Sequence, residues 1–328
     1  MLSPSSRPGR LARRLLLIAG SLGLALLLGE GLLRLCLPAA LFVQGRDTEG
    51  WTENTPTFDA FMRIDASLGY VPLPGTQLYG ENGLYRDQPR DLALPSGDMT
   101  VLWLGDSVTA RRFIEREVRK RSAVPFASWC GGVEGYNAAQ SLGYYRRVLA
   151  DLQPQHVVFT LHHNDWWNTP VVFYDDEGKV HCRTLDHEVA AFSPWLFQYS
   201  YLYRMVFSWS TSAAALHDGA VADQKVKDTL RGLRDTAAAD ALPLTVMLLP
   251  PMLAEAKWSA ADLQRHAAGL DMLRELGIRH VDLLPGLRRA LAAGVDPQQM
   301  PNDWMHPSEE VAKFFAEDLL AAGFAPGR

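Results

Sequence analysis

Cysteine and basic charge are scarce in this chain of 328 residues, and no internal repeat or low-complexity tract occurs. Of the three cysteines, only Cys130 and Cys182 lie in the body of the chain, where they either pair or serve as small buried hydrophobic residues. The net charge of −5 becomes −9 when the four arginines of residues 1–14 are set aside. Because nucleic-acid binding needs a basic face, this acidic body argues against a nucleic-acid partner.

An uncharged apolar run over residues 15–29 follows the basic N-terminus. Glu30 and Arg34 interrupt the apolar character and, being four residues apart, can pair on one helix face. A spanning helix needs about 20 residues. We therefore predict a basic cytoplasmic flank over 1–14 and an uncleaved transmembrane signal anchor over 15–37, with the rest of the chain outside the cytoplasmic (inner) membrane. A cleaved signal sequence is the alternative, although no convincing small-x-small cleavage site follows.

The body divides into an irregular and a regular part. Residues 38–98 contain Gly, Pro, Asn and Asp at short intervals, which predicts a stalk and a loop-rich lead-in. Within residues 99–328, short apolar runs predict strands over 99–105, 123–132, 156–162, 243–250 and 278–284. Helix patterns cover 107–121, 137–152, 222–241, 259–277, 286–294 and 308–323. This alternation indicates an α/β fold, a three-layer α/β/α doubly wound parallel sheet of about five strands, with its sites beyond the carboxyl ends of the strands.

Polar residues suited to chemistry follow those strands. Ser107 follows the first strand, Gly135 the second and Asn164 the third. Asp303 and His306 precede the last helix, three residues apart, so both can face the same way. Each residue alone has an ordinary interpretation, as a helix cap, a loop glycine or a turn residue. The functional interpretation depends on their joint occurrence, in this order, at one edge of the sheet.

This set resembles the SGNH, or GDSL, hydrolase family. The matching blocks are Gly105-Asp106-Ser107, then Gly135, then Asn164-Asp165, and finally Asp303-Trp304-Met305-His306. One departure is His162, because the family usually has glycine two residues before the asparagine; the change implies a reshaped pocket. The resemblance covers about residues 99–323. It implies that the fold is flavodoxin-like and that the protein is a membrane-anchored family member of the bacterial type.

The same residues supply the chemistry of acyl transfer. Ser107 is the predicted nucleophile, His306 is the base that activates it, and Asp303 orients His306. The backbone N–H groups of Ser107 and Gly135 and the side-chain amide of Asn164 are the predicted donors to the oxyanion. Glycine suits its position because a backbone donor must approach the substrate with no Cβ in the way.

An aromatic insertion interrupts the α/β pattern over about 163–219. Its 44-residue stretch 166–209 contains twelve of the chain's 32 aromatic residues. Three interpretations are open: a subsidiary core, a wall of rings that stacks on sugars, or contact with the membrane interface. His162, Trp166 and Trp167 are candidate substrate-binding residues. The neighbouring His163 points away from His162 at the strand end, and no third ligand accompanies them, so we expect no metal and no cofactor.

The sequence therefore predicts a membrane-anchored serine esterase that forms an acyl-enzyme outside the cytoplasm. The resemblance implies O-acetyl groups of polysaccharides as its substrates. The alternatives are a polysaccharide O-acyltransferase with the same triad, and a non-catalytic envelope binding protein that keeps the fold. The expected partners are an ester-bearing small molecule or polysaccharide, and the membrane through residues 15–37.

Overall fold

A computed structural model of the protein describes residues 7–36, 46–47, 55–175, 177–184, 192–212 and 219–325. The helices are α1 (Arg7–Cys36), α2 (Thr55–Phe61), α3 (Pro89–Leu92), α4 (Ser107–Arg111), α5 (Phe113–Arg121), α6 (Ala138–Tyr144), α7 (Pro194–Tyr199), α8 (Tyr201–Ser212), α9 (Gly219–Ala239), α10 (Ala260–Glu275), α11 (Leu284–Ala292) and α12 (Glu309–Ala321). The strands are β1 (Arg46–Asp47), β2 (Met62–Asp65), β3 (Gly69–Pro72), β4 (Thr100–Gly105), β5 (Ala127–Gly132), β6 (His156–Leu161), β7 (Val171–Tyr174), β8 (Val180–Thr184), β9 (Leu244–Leu248) and β10 (His280–Asp282). Residues 1–6 of the predicted flank and most of 38–54 in the predicted stalk lie outside the described residues.

Five parallel strands form the central sheet, in the order β10-β9-β6-β4-β5. In chain order β4 is the first of these strands, and in the sheet it lies between β5 and β6, the second and third. This is the flavodoxin-like order. The strand order therefore reverses between β4 and β6, and open α/β sheets bind ligands at such a switch point. The predicted fold class is confirmed, and each of the five predicted strands is present.

Side chains of the sheet enter two separate cores. Leu102 of β4 packs with α6, α9 and α10, whereas Val101 of the same strand packs with α5, α11 and α12. Successive side chains of a strand point to opposite faces, so each strand contributes apolar residues to both cores. Helices thus cover both faces of the sheet, and the domain has three layers.

The helix predicted over 107–121 is instead two helices, α4 and α5, separated at Arg112. Arg112 has a φ of 61°, in the left-handed region that non-glycine residues rarely adopt. Its side chain is only 1% exposed and pairs with the carboxylates of Asp87, Asp91 and Glu115. The ion pairs offset the cost of this backbone conformation, and no hydrophobic period in the sequence signals them.

The helix predicted over 137–152 begins as expected and then changes type. Asn137 is its N-cap, because its side chain accepts a hydrogen bond from the N–H of Gln140 at 2.9 Å. The α-helix ends at Tyr144, and a π-helical turn over Tyr145–Leu149 follows. The sequence therefore predicted the start of this helix correctly and its regular length incorrectly.

Residues 55–98, for which we predicted a stalk and a loop-rich lead-in, contribute side chains to the core of the domain. Phe58, Tyr70 and Tyr79 are at most 1% exposed and lie in the core on the α6 side of the sheet. These rings are far apart in the sequence and follow neither a helix nor a strand period, which is why the pattern did not reveal their burial.

Asp91 joins this lead-in to α4 and α5. Its buried carboxylate lies 3.4 Å from the Arg112 guanidinium and 2.6 Å from that of Arg116. Removing one partner of a buried ion pair leaves the other charge uncompensated, so Asp91→Ala is expected to lower the free energy of unfolding by about 3–5 kcal/mol. Urea denaturation of the full chain in detergent measures this change. The exposed pair Asp271–Arg274 provides the control, because Asp271→Ala is expected to change stability by at most about 0.5 kcal/mol.

The same carboxylate makes stability depend on pH. Burial alone would raise the pKa of Asp91, but the N–H of Gln88 and the guanidinium groups of Arg112 and Arg116 hold it below its ordinary value. A folded pKa below the unfolded value stabilises the protein above about pH 4, and this stabilisation is lost as the pH falls. Acidification from about pH 5 should therefore cost the wild type more stability than Asp91→Ala. Parallel losses in the two proteins would contradict this role for Asp91.

The aromatic insertion has a small core of its own. β7 and β8 form an antiparallel hairpin that β1 extends. The hairpin and helices α7 and α8 share buried side chains, namely Val171, Phe173, Phe197, Tyr201 and Phe207. The subsidiary-core interpretation is therefore confirmed for these residues. Cys182 of β8 and Cys130 of β5 are both buried and are not joined by a disulfide.

Helix α1 is long and apolar. Its segment Leu11–Cys36 has a mean hydropathy of 2.0, and none of it is buried within the protein. By length and composition it could cross a membrane, and a signal sequence near an N-terminus has the same properties. The predicted pairing of Glu30 and Arg34 is confirmed, since Arg34 Nε lies 2.9 Å from Glu30 Oε1.

Candidate active site

The turn after β4 presents the side chain of Ser107. Gly105 ends the strand with a φ of 148°, and a Cβ there would lie 2.4 Å from Thr109 Oγ1, so a larger residue does not fit. Asp106 is the N-cap of α4, because its Oδ1 accepts the N–H of Val108 at 2.9 Å. Since Asp106 performs the capping, the hydroxyl of Ser107 remains available for another partner.

That partner is His306. Ser107 Oγ lies 2.7 Å from His306 Nε2, and His306 Nδ1 lies 2.9 Å from both Oδ1 and Oδ2 of Asp303. The structure thus brings together the predicted nucleophile, base and acid across the sheet edge. The side chains of His306 and Asp303 are 18% and 14% exposed, so both groups are shielded but still reachable from solvent.

Backbone hydrogen bonds fix the loop that carries the acid and the base. Asp303 Oδ1 accepts the N–H of His306 at 3.2 Å, which holds the two residues in one tight turn. The His306 carbonyl accepts the N–H of Gln299 at 3.0 Å, and the Trp304 carbonyl accepts the N–H of Met252 at 2.8 Å. Met252 lies shortly after β9, so the loop is attached to the same edge of the sheet that presents the serine.

Two backbone N–H groups, that of Ser107 itself and that of Gly135, are available to an oxyanion. Gly135 has a φ of 76° at the third position of the turn Val133–Tyr136, where a type II turn requires a positive φ. The N–H of Val133 donates to the Gly105 carbonyl at 3.0 Å, which places this turn beside the end of β4. Within the described ranges, the N–H groups of Ser107 and Gly135 have no acceptor.

Asn164 lies at the predicted place, but its amide hydrogens are already engaged. Nδ2 donates to Asp106 Oδ2 at 2.7 Å and to the Tyr136 carbonyl at 3.1 Å, and a side-chain amide has only two N–H donors. The side chain therefore bridges the residue before Ser107 and the residue after Gly135. Both amide hydrogens of Asn164 therefore contact these neighbours, whereas the sequence predicted that the amide would donate to the oxyanion.

Two buried carboxyl groups near Ser107, those of Asp106 and Asp165, have pKa values shifted in opposite directions. Burial alone would raise the pKa of Asp106, but His162, a backbone N–H and the Asn164 amide hold it below its ordinary value. Burial and the nearby Asp106 carboxylate raise the pKa of Asp165 well above its ordinary value. Protonation is therefore harder at Asp106, and easier at Asp165, than at an exposed aspartate.

The three predicted substrate-binding residues occupy different environments. His162 is 1% exposed, with Nδ1 3.6 Å from Asp106 Oδ2. Trp166 is 5% exposed, and its indole N–H donates to Asp223 at 2.7 Å. His162 precedes the short 3₁₀ turn after β6 and Trp166 ends it, and both side chains lie in the interior. Trp167 is 37% exposed, so it is the one of the three that reaches the surface.

An aromatic and charged cluster that the sequence analysis missed also lies at this edge. The ring of His163 stands perpendicular to those of Trp304 and Trp167, with centroids 4.7 and 6.2 Å away. Arg265 donates to His163 Nε2 at 2.7 Å, and burial together with this guanidinium lowers the pKa of His163 to about 3. The available signal was the position of Trp304 inside the loop of the acid and base. Among the residues described, no group of three or more His, Cys, Asp or Glu is placed to hold a metal ion.

The sequence matches no protein-family profile and no curated protein. Similar solved structures include an acetylxylan esterase from Geobacillus stearothermophilus, which is 13% identical with a TM-score of 0.46 over 71% of this chain and 98% of that chain. Another acetyl xylan esterase is 11% identical with a TM-score of 0.43 over 69% and 100% of the two chains. An α/β hydrolase enzyme from the metagenome of Lake Arreo, Spain, is 14% identical with a TM-score of 0.42 over 69% and 95%. These similarities are remote, and the role of each residue therefore rests on the geometry of this chain.

Proposed function

We propose that the chain is a serine ester hydrolase of the SGNH type. The observation that carries the proposal is the triad, in which Ser107 Oγ lies 2.7 Å from His306 Nε2 although the two residues are 199 positions apart in the chain. Asp303 supports the far nitrogen of the same ring at 2.9 Å. A hydroxyl, a base and an acid in this chain of hydrogen bonds are what nucleophilic catalysis by serine requires.

The reaction follows from the positions of these groups. His306 Nε2 removes the proton of Ser107 as Oγ attacks the ester carbonyl carbon, and the N–H groups of Ser107 and Gly135 stabilise the oxyanion. His306 then donates this proton to the leaving alcohol, and an acyl group remains on Ser107. Water activated by His306 completes hydrolysis. A sugar hydroxyl in its place would give acyl transfer, and acylated product formed from an added oligosaccharide would identify that reaction.

A fluorophosphonate probe tests the proposal directly, because it reacts only with an activated serine. The full chain in detergent is expected to be labelled, and Ser107→Ala is expected to abolish labelling. Ser308→Ala is the matched control: Ser308 also lies at a helix start, but its hydroxyl is bonded to the Asp296 carbonyl. Failure of the folded wild type to react would reject the esterase and favour a non-catalytic binding protein.

Asn164→Ala tests how the oxyanion donors are positioned. Loss of the bridge from Asn164 to Asp106 and Tyr136 should misplace the two N–H donors, which act only in the transition state. We expect kcat for p-nitrophenyl acetate to fall by about 10²–10³ while KM changes little. Gln224→Ala, which removes an amide from the exposed surface of α9, should leave both constants unchanged. A rise in KM with unchanged kcat would show that Asn164 binds substrate instead.

An acetylated saccharide is the substrate class that we propose for this site. The rings of Trp167 and Trp304 both contact the ring of His163, next to the catalytic loop, and flat apolar rings suit the faces of sugars. Trp167→Ala is expected to raise KM for an acetylated oligosaccharide roughly tenfold, equivalent to about 1.4 kcal/mol. KM for p-nitrophenyl acetate should not change. The exposed Trp195 of α7 provides the control, and equal effects of Trp195→Ala and Trp167→Ala would remove Trp167 from the site.

The proposed location is the outer side of the cytoplasmic membrane, with α1 as a single-pass anchor. The basic residues at the start of α1 and the apolar length that follows them support this orientation. Protease added to spheroplasts should digest the body of the protein and leave a cytoplasmic marker intact. Full protection of the body, or a mature protein that begins near residue 40, would overturn the anchor.

A further inference from the structure

Two charged residues of α1 make specific contacts with the aromatic insertion. The carboxylate of Glu30 accepts the N–H groups of Tyr201 and Leu202 at 2.8 and 3.0 Å, and the hydroxyl of Ser200 at 3.0 Å. These N–H groups begin α8 and have no acceptor within that helix, so Glu30 serves as its cap. A negative charge at a helix N-terminus is also favoured by the helix dipole.

Arg34 completes the contact from the next turn of α1. It pairs with Glu30 and donates to the Tyr199 carbonyl at the end of α7, where a positive charge is favoured. Its guanidinium carbon lies 5.2 Å from the centre of the Tyr201 ring. Leu33, on the same face of α1, packs against the core of the insertion. Charged residues near a membrane span are costly unless paired, and this contact accounts for both of them.

The contact fixes the position of the insertion along the axis of α1, and hence its depth relative to a membrane that α1 spans. From Leu15, the first residue after the basic flank, to Arg34 an α-helix rises by roughly 30 Å, which is close to the thickness of the hydrocarbon core of a bilayer. Arg34 therefore lies at the outer boundary of the hydrocarbon when α1 spans the membrane, and Glu30 lies about one helical turn deeper. The end of α7 and the start of α8 lie at that boundary because they are docked on Arg34 and Glu30.

The outer surface of these two helices is rich in exposed apolar and aromatic side chains. Trp195 and Tyr199 are 66% and 54% exposed, and their ring centroids are 5.5 Å apart. Leu196 and Val206 are exposed as well. Tryptophan and tyrosine are the side chains that settle at membrane–water interfaces, because each combines an apolar ring with a polar group.

We propose that α7 and α8 lie in the outer lipid interface beside the anchor, with Trp195, Leu196, Tyr199 and Val206 inserted among the lipids and Glu30 and Arg34 holding the two helices there. This inference rests on the proposed membrane location of α1. The surface is continuous with the exposed apolar helix on which it docks, and lipid is the partner that already surrounds that helix. The domain is thereby held at the membrane by two contacts rather than suspended from a single helix.

The test uses the full chain in vesicles of phosphatidylcholine and phosphatidylglycerol. In a Cys36→Ser background, Trp195→Cys is labelled with a nitrobenzoxadiazole fluorophore, since Cys130 and Cys182 are buried and shielded from labelling. Leu92→Cys is the matched control: Leu92 is 72% exposed, and α3 packs against α5 on the other side of the sheet. In vesicles the emission of the label at position 195 should shift to the blue, and lipids with a nitroxide on the acyl chain should quench it. The label at position 92 should show neither effect.

Further variants separate the docking contact from the anchor. The double variant Glu30→Ala, Arg34→Ala should reduce quenching at position 195 to the level of position 92, while the protein still floats with the vesicles. Glu30→Gln keeps one acceptor oxygen, so its quenching should lie between those of the wild type and the double variant. Flotation with no quenching difference between positions 195 and 92 would overturn this inference and leave the anchor standing. Failure of the wild type to float would overturn both.

Discussion

Replacing His306 with alanine is expected to lower kcat for p-nitrophenyl acetate by about 10⁶-fold, and replacing Ser107 in addition should lower it no further. The reason is that the two side chains perform one step together. The hydroxyl of Ser107 is a weak nucleophile until His306, 2.7 Å away, takes its proton. Once the base is absent, removal of the nucleophile therefore costs nothing more.

The measurement is kcat for the two single variants and the double variant, with unfolding curves to show that each is folded. The chain offers a matched control in the pair His181–Asp175 of the β7–β8 hairpin, which are 2.8 Å apart and away from the sheet edge. His181→Ala should leave kcat within a few-fold of the wild type. A double variant slower than either single variant by the product of their effects would show that Ser107 and His306 act independently, against the proposed mechanism.

The catalytic residues could be predicted from the sequence because they obey a rule of topology. Ser107 and Asn164 directly follow apolar runs, and the carboxyl ends of parallel strands meet at one edge of the sheet. Asp303 and His306 are separated by one turn, so their mutual contact depends only on local geometry. Strand positions were equally predictable, since a fully buried strand is a continuous apolar run.

Other features could not be predicted because they depend on contacts between distant segments. The break at Arg112 requires Asp91 from the lead-in, which no local period connects to it. The engagement of the Asn164 amide requires the Tyr136 carbonyl, and a backbone acceptor has no signature in the sequence. Trp166 is as aromatic as Trp167 and only one position away, yet the first is buried and the second exposed.

Exchanging Asp303 for asparagine is expected to lower kcat by about 10⁴-fold without unfolding the protein. Asparagine has the size of aspartate, and its oxygen can still accept the N–H of His306 that fixes the loop. Its amide NH₂ then faces His306 Nδ1, where the carboxylate oxygens now lie 2.9 Å away. Because an amide donates a hydrogen bond there, Nδ1 must be unprotonated, and the proton moves to Nε2.

With its proton on Nε2, His306 can donate to Ser107 but cannot accept the serine proton, so the nucleophile is not activated. The loss should appear in kcat and equally in the rate of fluorophosphonate labelling, while KM changes little, since Asp303 binds no part of the substrate. Asp175→Asn makes the same exchange in the acid of the matched pair and should leave kcat unchanged. The wrong tautomer of His306 should reduce the rate far more than tenfold. If Asp303→Asn retained more than about a tenth of the wild-type rate while Ser107→Ala was inactive, another residue would have to be the acid of the triad.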